Sequence, residues 1–92
     1  MGFTEFYNKR RIIMDEVYVY AGNLLTGDVC SVIVENDDDL IYDTAERFNE
    51  SFDYAPMVWA VYDTDLGEDQ CDLEFNNYFV EQYDEYVTDL AS

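Results

Sequence analysis

Between residues 37 and 52 the apolar and acidic positions form two strips, each stepping by four, three and four residues. Wound at about 100° per residue, Ile41, Ala45, Phe48 and Phe52 fall within roughly 60° of one another. Asp39, Asp43, Glu46 and Glu50 fall within a similar arc on the opposite face. The pattern predicts an α-helix with one face for a core and one ruled line of carboxylates, about 16 Å long at 1.5 Å per residue. Residues 36–39 supply its N-cap; Asp37, Asp38 and Asp39 there also suit the helix dipole. Residues 52–56, ending in Pro56, stop it.

Upstream, Val17, Tyr18, Val19 and Tyr20 are β-branched or aromatic and predict a strand. Gly22-Asn23 and Thr26-Gly27-Asp28 carry turn chemistry, and residues 29–34 read as a second strand, so the two make a hairpin. Residues 57–62 predict a third strand, with Trp59 and Val61 on one face and Val58 and Ala60 on the other. Residues 64–70 read as an acidic loop. From about Asp72 a helical period returns, with Phe75, Phe79, Tyr83, Tyr86 and Leu90 on one side and Glu74, Glu81 and Glu85 on the other. The expected fold is α+β: a small, mostly antiparallel sheet of about three strands with two acidic amphipathic helices. Residues 14–92 make its single domain. Residues 1–13, where Phe3, Phe6 and Tyr7 stand beside Lys9, Arg10 and Arg11, make a short helix or an arm. Its charge suits the chain's own acids or those of a second copy; a nucleic-acid contact runs against the net field.

Charge changes this picture most. Twenty-two acids face four bases, for a net charge of −18. Only Glu5 precedes Ile12, so residues 12–92 hold 22 − 1 = 21 acids against the single base Arg47. Such density opposes compaction by self-repulsion. Like charges at i,i+4 cost about 0.2–0.5 kcal/mol per pair, and the ruled line contains three successive repelling pairs. A solvated acidic face serving solubility alone could avoid that cost by interleaving lysines. Yet the chain is not a disordered acidic tail: 17% of it is aromatic, with nine Tyr, six Phe and Trp59.

The function classes narrow accordingly. With no histidine, histidine triads, histidine bases and most zinc or copper sites are absent. Neither a GxGxxG nor a P-loop occurs. Carboxylate pairs could run acid–base chemistry, but with so many acids pairs arise by chance, and 92 residues leave little room for a substrate pocket. We therefore expect no enzyme, no catalytic residue and no cofactor. Residues 63–74 match an EF-hand loop at positions one, three and twelve, but Gly67 falls where a ligand belongs and Glu68 where glycine is needed. No metal site is expected. Cys30 and Cys71 are far apart and fit free thiols in a reducing cytoplasm. No apolar run is long enough to span a membrane.

What remains is a cationic partner. B-DNA carries one charge per about 1.7 Å of axis, so eighteen charges match roughly 30 Å of duplex, about nine base pairs. One ruled helix is too sparse to imitate it; both helices with the 63–74 segment together provide enough. The candidate DNA-mimic surface comprises Asp37, Asp38, Asp39, Asp43, Glu46, Glu50, Asp63, Asp65, Glu68, Asp69, Asp72, Glu74, Glu81 and Glu85. Tyrosines pack their rings among carboxylates while keeping a polar tip in water, which suits such a surface. Two alternatives stay open: a domain that binds divalent cations, and an acidic inhibitor or adaptor that binds a basic protein without imitating DNA.

The chain resembles the small acidic antirestriction proteins of phages and mobile elements. In length, acidity and tyrosine content it is similar to the Arn anti-restriction-nuclease proteins of T-even phages. VYVYAGNL at 17–24, followed by a Gly-Asp turn, and WAVYDTDLG at 59–67 are similar to strand segments of the ArdA antirestriction family. ArdA-like proteins are longer, so one module corresponds. The resemblance implies a homodimeric α+β DNA mimic in the host cytoplasm. Its partner would be a DNA-binding host protein, a restriction endonuclease such as the modification-dependent McrBC, with no direct nucleic-acid or membrane contact.

Overall fold

Val17, Val19 and Ala21 alternate with Tyr18, Tyr20 and Gly22, so the first strand has an apolar residue at nearly every position. A strand of that kind needs cover on both faces. The computed structural model describes residues 16–91 and provides that cover. Its elements are β1 (Glu16–Asn23), β2 (Val29–Glu35), α1 (Asp38–Ser51), β3 (Met57–Asp63), a 3₁₀ turn (Thr64–Leu66) and α2 (Glu68–Ala91). The sheet is antiparallel throughout, in the order β2-β1-β3. Residues 1–13, including the basic triplet, lie outside the described residues.

The register assigns the two faces. Val19 pairs with Val32 and Val61, and Tyr20 with Ser31 and Ala60. On one face Val17 and Val19 pack with Ile41 of α1, joined by Val34, Phe48 and Trp59. On the other face Tyr20 packs with Cys71, Phe75 and Phe79 of α2, joined by Tyr18, Val58, Ala60, Tyr62 and Tyr83. The domain is therefore three layers, helix–sheet–helix, with the acidic face of each helix turned outward on opposite sides.

The expected hairpin, third strand and first helix all form. Asp37 caps α1, its Oδ1 accepting from the Leu40 N–H at 3.2 Å. Three boundaries differ from the sequence reading. Gly22-Asn23 is strand, not turn; the turn begins one residue later, and Asn23 Oδ1 organises it by accepting from the N–H groups of Leu25 and Thr26. Residues 64–70 are not a loop. Thr64–Leu66 is a 3₁₀ turn, Gly67 breaks it at φ 88°, and α2 starts at Glu68 instead of near Asp72. Residues 63–74 consequently cannot wrap an ion as an EF-hand loop does, because seven of the twelve are α-helix. Leu90, placed by periodicity on the core side of α2, is exposed.

Tyr20 is the polar centre of the α2 layer. It is buried, stacks on Phe75 at 5.1 Å, and its hydroxyl donates to the Asp72 carboxylate. Burial first, then the bond to Asp72, push its ionisation well above the ordinary value of 10.0. Burial also raises Tyr18, Tyr62 and the Cys71 thiol, with nearby carboxylates adding to the effect. A phenol or thiol harder to ionise folded than unfolded contributes stability that is intact below its unfolded pKa and lost as pH rises through the folded one. The melting temperature should accordingly fall as pH climbs past about 9–10, the ordinary range of these groups. Tyr20→Phe should cost about 1–2 kcal/mol at pH 7 and show a shallower alkaline decline. Melts from pH 7 to 11 check both.

Candidate functional site

The sheet register gathers the acids at one end. Glu16 pairs with Glu35, and Val17 with Asp63. Helix α1 follows directly from Glu35, and α2 follows from Asp63 after the 3₁₀ turn. Both helix N-termini therefore share the end of the sheet where β1 begins. A Thr64 Oγ1 bond to the Glu16 carbonyl, 3.1 Å, ties that end together. Glu16, Glu35, Asp37, Asp38, Asp39, Asp63, Asp65, Glu68 and Asp69 all stand there, and all nine are exposed.

Local chemistry explains why an acidic end folds at all. Asp38, Asp39, Glu68 and Asp69 sit in first helical turns, where the helix dipole favours negative charge. Asp63 Oδ1 accepts from the Asp65 N–H at 3.0 Å and so caps the 3₁₀ turn. Among the described residues Arg47 is the sole lysine or arginine. It lies further along α1 and bonds Asp43 at 3.2 Å. Both partners are largely solvent-accessible, so the pair contributes little.

From this end the acids run outward in two directions. Along α1, Asp39, Asp43, Glu46 and Glu50 are exposed as a line. Along α2, Glu74, Glu81 and Glu85 are exposed on the opposite side of the sheet. Glu74 accepts from Gln70 Nε2 at 2.9 Å. Asp72 differs from the other predicted surface acids in being half-buried and committed inward to Tyr20. The structure thus brings Asp37, Asp38, Asp39, Asp63, Asp65, Glu68 and Asp69 together, and it separates the α1 line from the α2 line. A flat partner surface reaches one line with the shared end; only a groove that wraps around the domain reaches both.

Sequence reading passed over Glu16 and Glu35, which belong to the acidic end. The signal was available in the hairpin, because strands of that length in antiparallel register place the start of one beside the end of the other. It also passed over a groove of about 630 Å³ between α1 and β3, lined by Tyr42, Glu46, Asn49, Pro56, Met57 and Trp59 among others. A second groove, on the β2 side of α1, is lined by Val32, Val34, Arg47 and Phe48 among others. Among the described residues no group of three or more cysteines and carboxylates converges to hold a metal ion, and no helix is long and apolar enough to cross a membrane. Cys30 is exposed and Cys71 buried, both as free thiols. No protein-family model, curated protein or solved structure matches the chain.

Proposed function

We propose that this chain is a DNA-mimic inhibitor. It occupies the DNA-binding site of a host restriction or defence nuclease, such as McrBC, in the host cytoplasm, and so protects phage DNA without catalysis. The observation that carries the reading is the acidic end: nine exposed carboxylates at one end of the sheet, continuing along α1, with no lysine or arginine among them. A surface serving solubility alone gains nothing from concentrating repulsion in one place. A groove lined with lysine and arginine to hold phosphates is the complementary shape. The test is inhibition of DNA cleavage by a purified restriction nuclease, McrBC first, at several duplex concentrations. A mimic competes, so more duplex must relieve inhibition in proportion; inhibition indifferent to duplex concentration contradicts the reading.

The active form is a homodimer. Leu73, Val80 and Val87 of α2 are 55%, 57% and 44% exposed and recur every seven residues, with Leu90, 68% exposed, three further on. Leu73, Val80 and Val87 thus repeat one heptad position and Leu90 takes its complement, while Glu74, Glu81 and Glu85 lie roughly 100° around the helix from them. Sedimentation at micromolar concentration should show a species near twice 10.8 kDa. A 10.8 kDa species at every concentration refutes the dimer.

A further inference from the structure

The α1–β3 groove combines features that the acidic end lacks. Tyr42, Glu46 and Asn49 step by four and three along one strip of α1, so a ring, a carboxylate and an amide line the same wall. Met57 and Trp59, two apart on β3, share the face opposite. Tyr42 and Trp59 form an edge-to-face pair with centroids 5.8 Å apart, and Tyr42 remains 64% exposed. Ala55 and Pro56 also line the groove, directly after a turn in which Asp53 and Tyr54 both take positive φ, 58° and 61°. For a tyrosine that backbone is strained. The described part of the chain has no cation for this groove. Arg47 bonds Asp43 and lines the other groove.

We propose that this groove receives an arginine side chain of the basic partner, a proposal that rests on the reading of that partner as a DNA-binding protein. The net field of a chain carrying −18 draws cations to it. Within the groove the aromatic pair favours a guanidinium over an ammonium: the planar group stacks on a ring, is more weakly hydrated, and offers a fork of donors to the Glu46 carboxylate and the Asn49 amide oxygen. The acidic end selects for charge alone. The groove adds a choice between the two basic side chains.

Trp59 is the only tryptophan in the chain, so its emission reports on the groove directly. The full chain is titrated at low salt with hexa-arginine and with hexa-lysine, peptides of equal charge. Hexa-arginine should change Trp59 emission saturably and bind about threefold more tightly than hexa-lysine. Tyr42→Leu and Glu46→Gln, both at exposed positions, should each remove that preference. Asp69→Asn, on the first turn of α2, removes the same charge as Glu46→Gln and should weaken both peptides alike while leaving the preference intact. Equal affinities with unchanged emission, or a preference that survives both groove variants, overturns the arginine site and leaves the polyanionic mimic standing. Binding of neither peptide overturns both. If K9Q/R10Q/R11Q shifts Trp59 emission with no peptide present, the groove is filled by the chain's own basic triplet, and the proposal for a partner's arginine fails.

Discussion

Gly22→Ala is expected to lose about 3 kcal/mol of stability, the largest effect of adding a methyl to any glycine among the described residues. A Cβ at Gly22 would lie 2.3 Å from both Cδ1 and Cε1 of Phe79. The Phe79 ring is buried and cannot retreat cheaply, because Phe75 flanks it at 6.0 Å and Tyr83 at 5.8 Å. Domains of this size hold roughly 5–10 kcal/mol in total, so the variant should melt roughly 10–20 °C below the parent. Phe79→Leu, mildly destabilising alone, should recover part of the loss in the double variant, because the two positions share one contact. A Gly22→Ala chain that melts with the parent would show that α2 does not lie this close to β1.

Changing Asp39, Asp43, Glu46 and Glu50 together to their amides should move stability and binding in opposite directions. Folding gains, because three like-charge pairs along α1 disappear, each costing about 0.2–0.5 kcal/mol; the exposed Asp43–Arg47 pair is lost with little effect. Binding to the nuclease loses four charge contacts at roughly 0.2–1 kcal/mol each, about 4- to 900-fold in affinity. A melt and an inhibition curve on the same preparation measure both. If inhibition is unchanged, the α1 line is not part of the mimic surface. A converse variant in Glu74, Glu81 and Glu85 then tests the opposite side of the sheet.

Much of the fold was legible because this chain's local signals agree with its tertiary structure. Ile41 and Ala45 recur at helical spacing and are the buried residues of α1. Trp59 and Val58 alternate at strand spacing and join different layers. Gly22-Asn23 misled because the dipeptide commonly marks a turn, whereas here glycine answers a steric demand from Phe79, 57 residues away, that no local pattern reveals. Residues 64–70 misled because consecutive acids suggest a loop, yet Glu68 and Asp69 are acidic for the sake of a helix N-terminus. The layering was partly readable: apolar residues at both parities of β1 imply cover on both faces. Which helix takes which face is decided by the connections from β2 and β3. That decision matters most for the site, because it turns one imagined surface into a shared acidic end with two diverging lines.

Salt distinguishes the central claim from its rivals, and one KCl series read two ways tests it most directly. Raising salt from 0.01 M to 0.1 M shortens the screening length from about 30 Å to about 10 Å. In the free chain that relieves repulsion among charges totalling −18, so the melting temperature should rise. In the complex with the nuclease it screens attraction, so affinity should fall, with a log–log slope gentler than the roughly −0.9 per phosphate of duplex DNA. A cation-binding domain would respond to divalent ions at fixed ionic strength instead, and an adaptor held by apolar contacts would hold its affinity. With EDTA present throughout, the electrostatic mimic predicts a rising melting temperature and a falling affinity over the same series. Flat affinity from about 50 to 300 mM, where the screening length still shrinks about 2.5-fold, or a melting temperature that falls with salt, would contradict it.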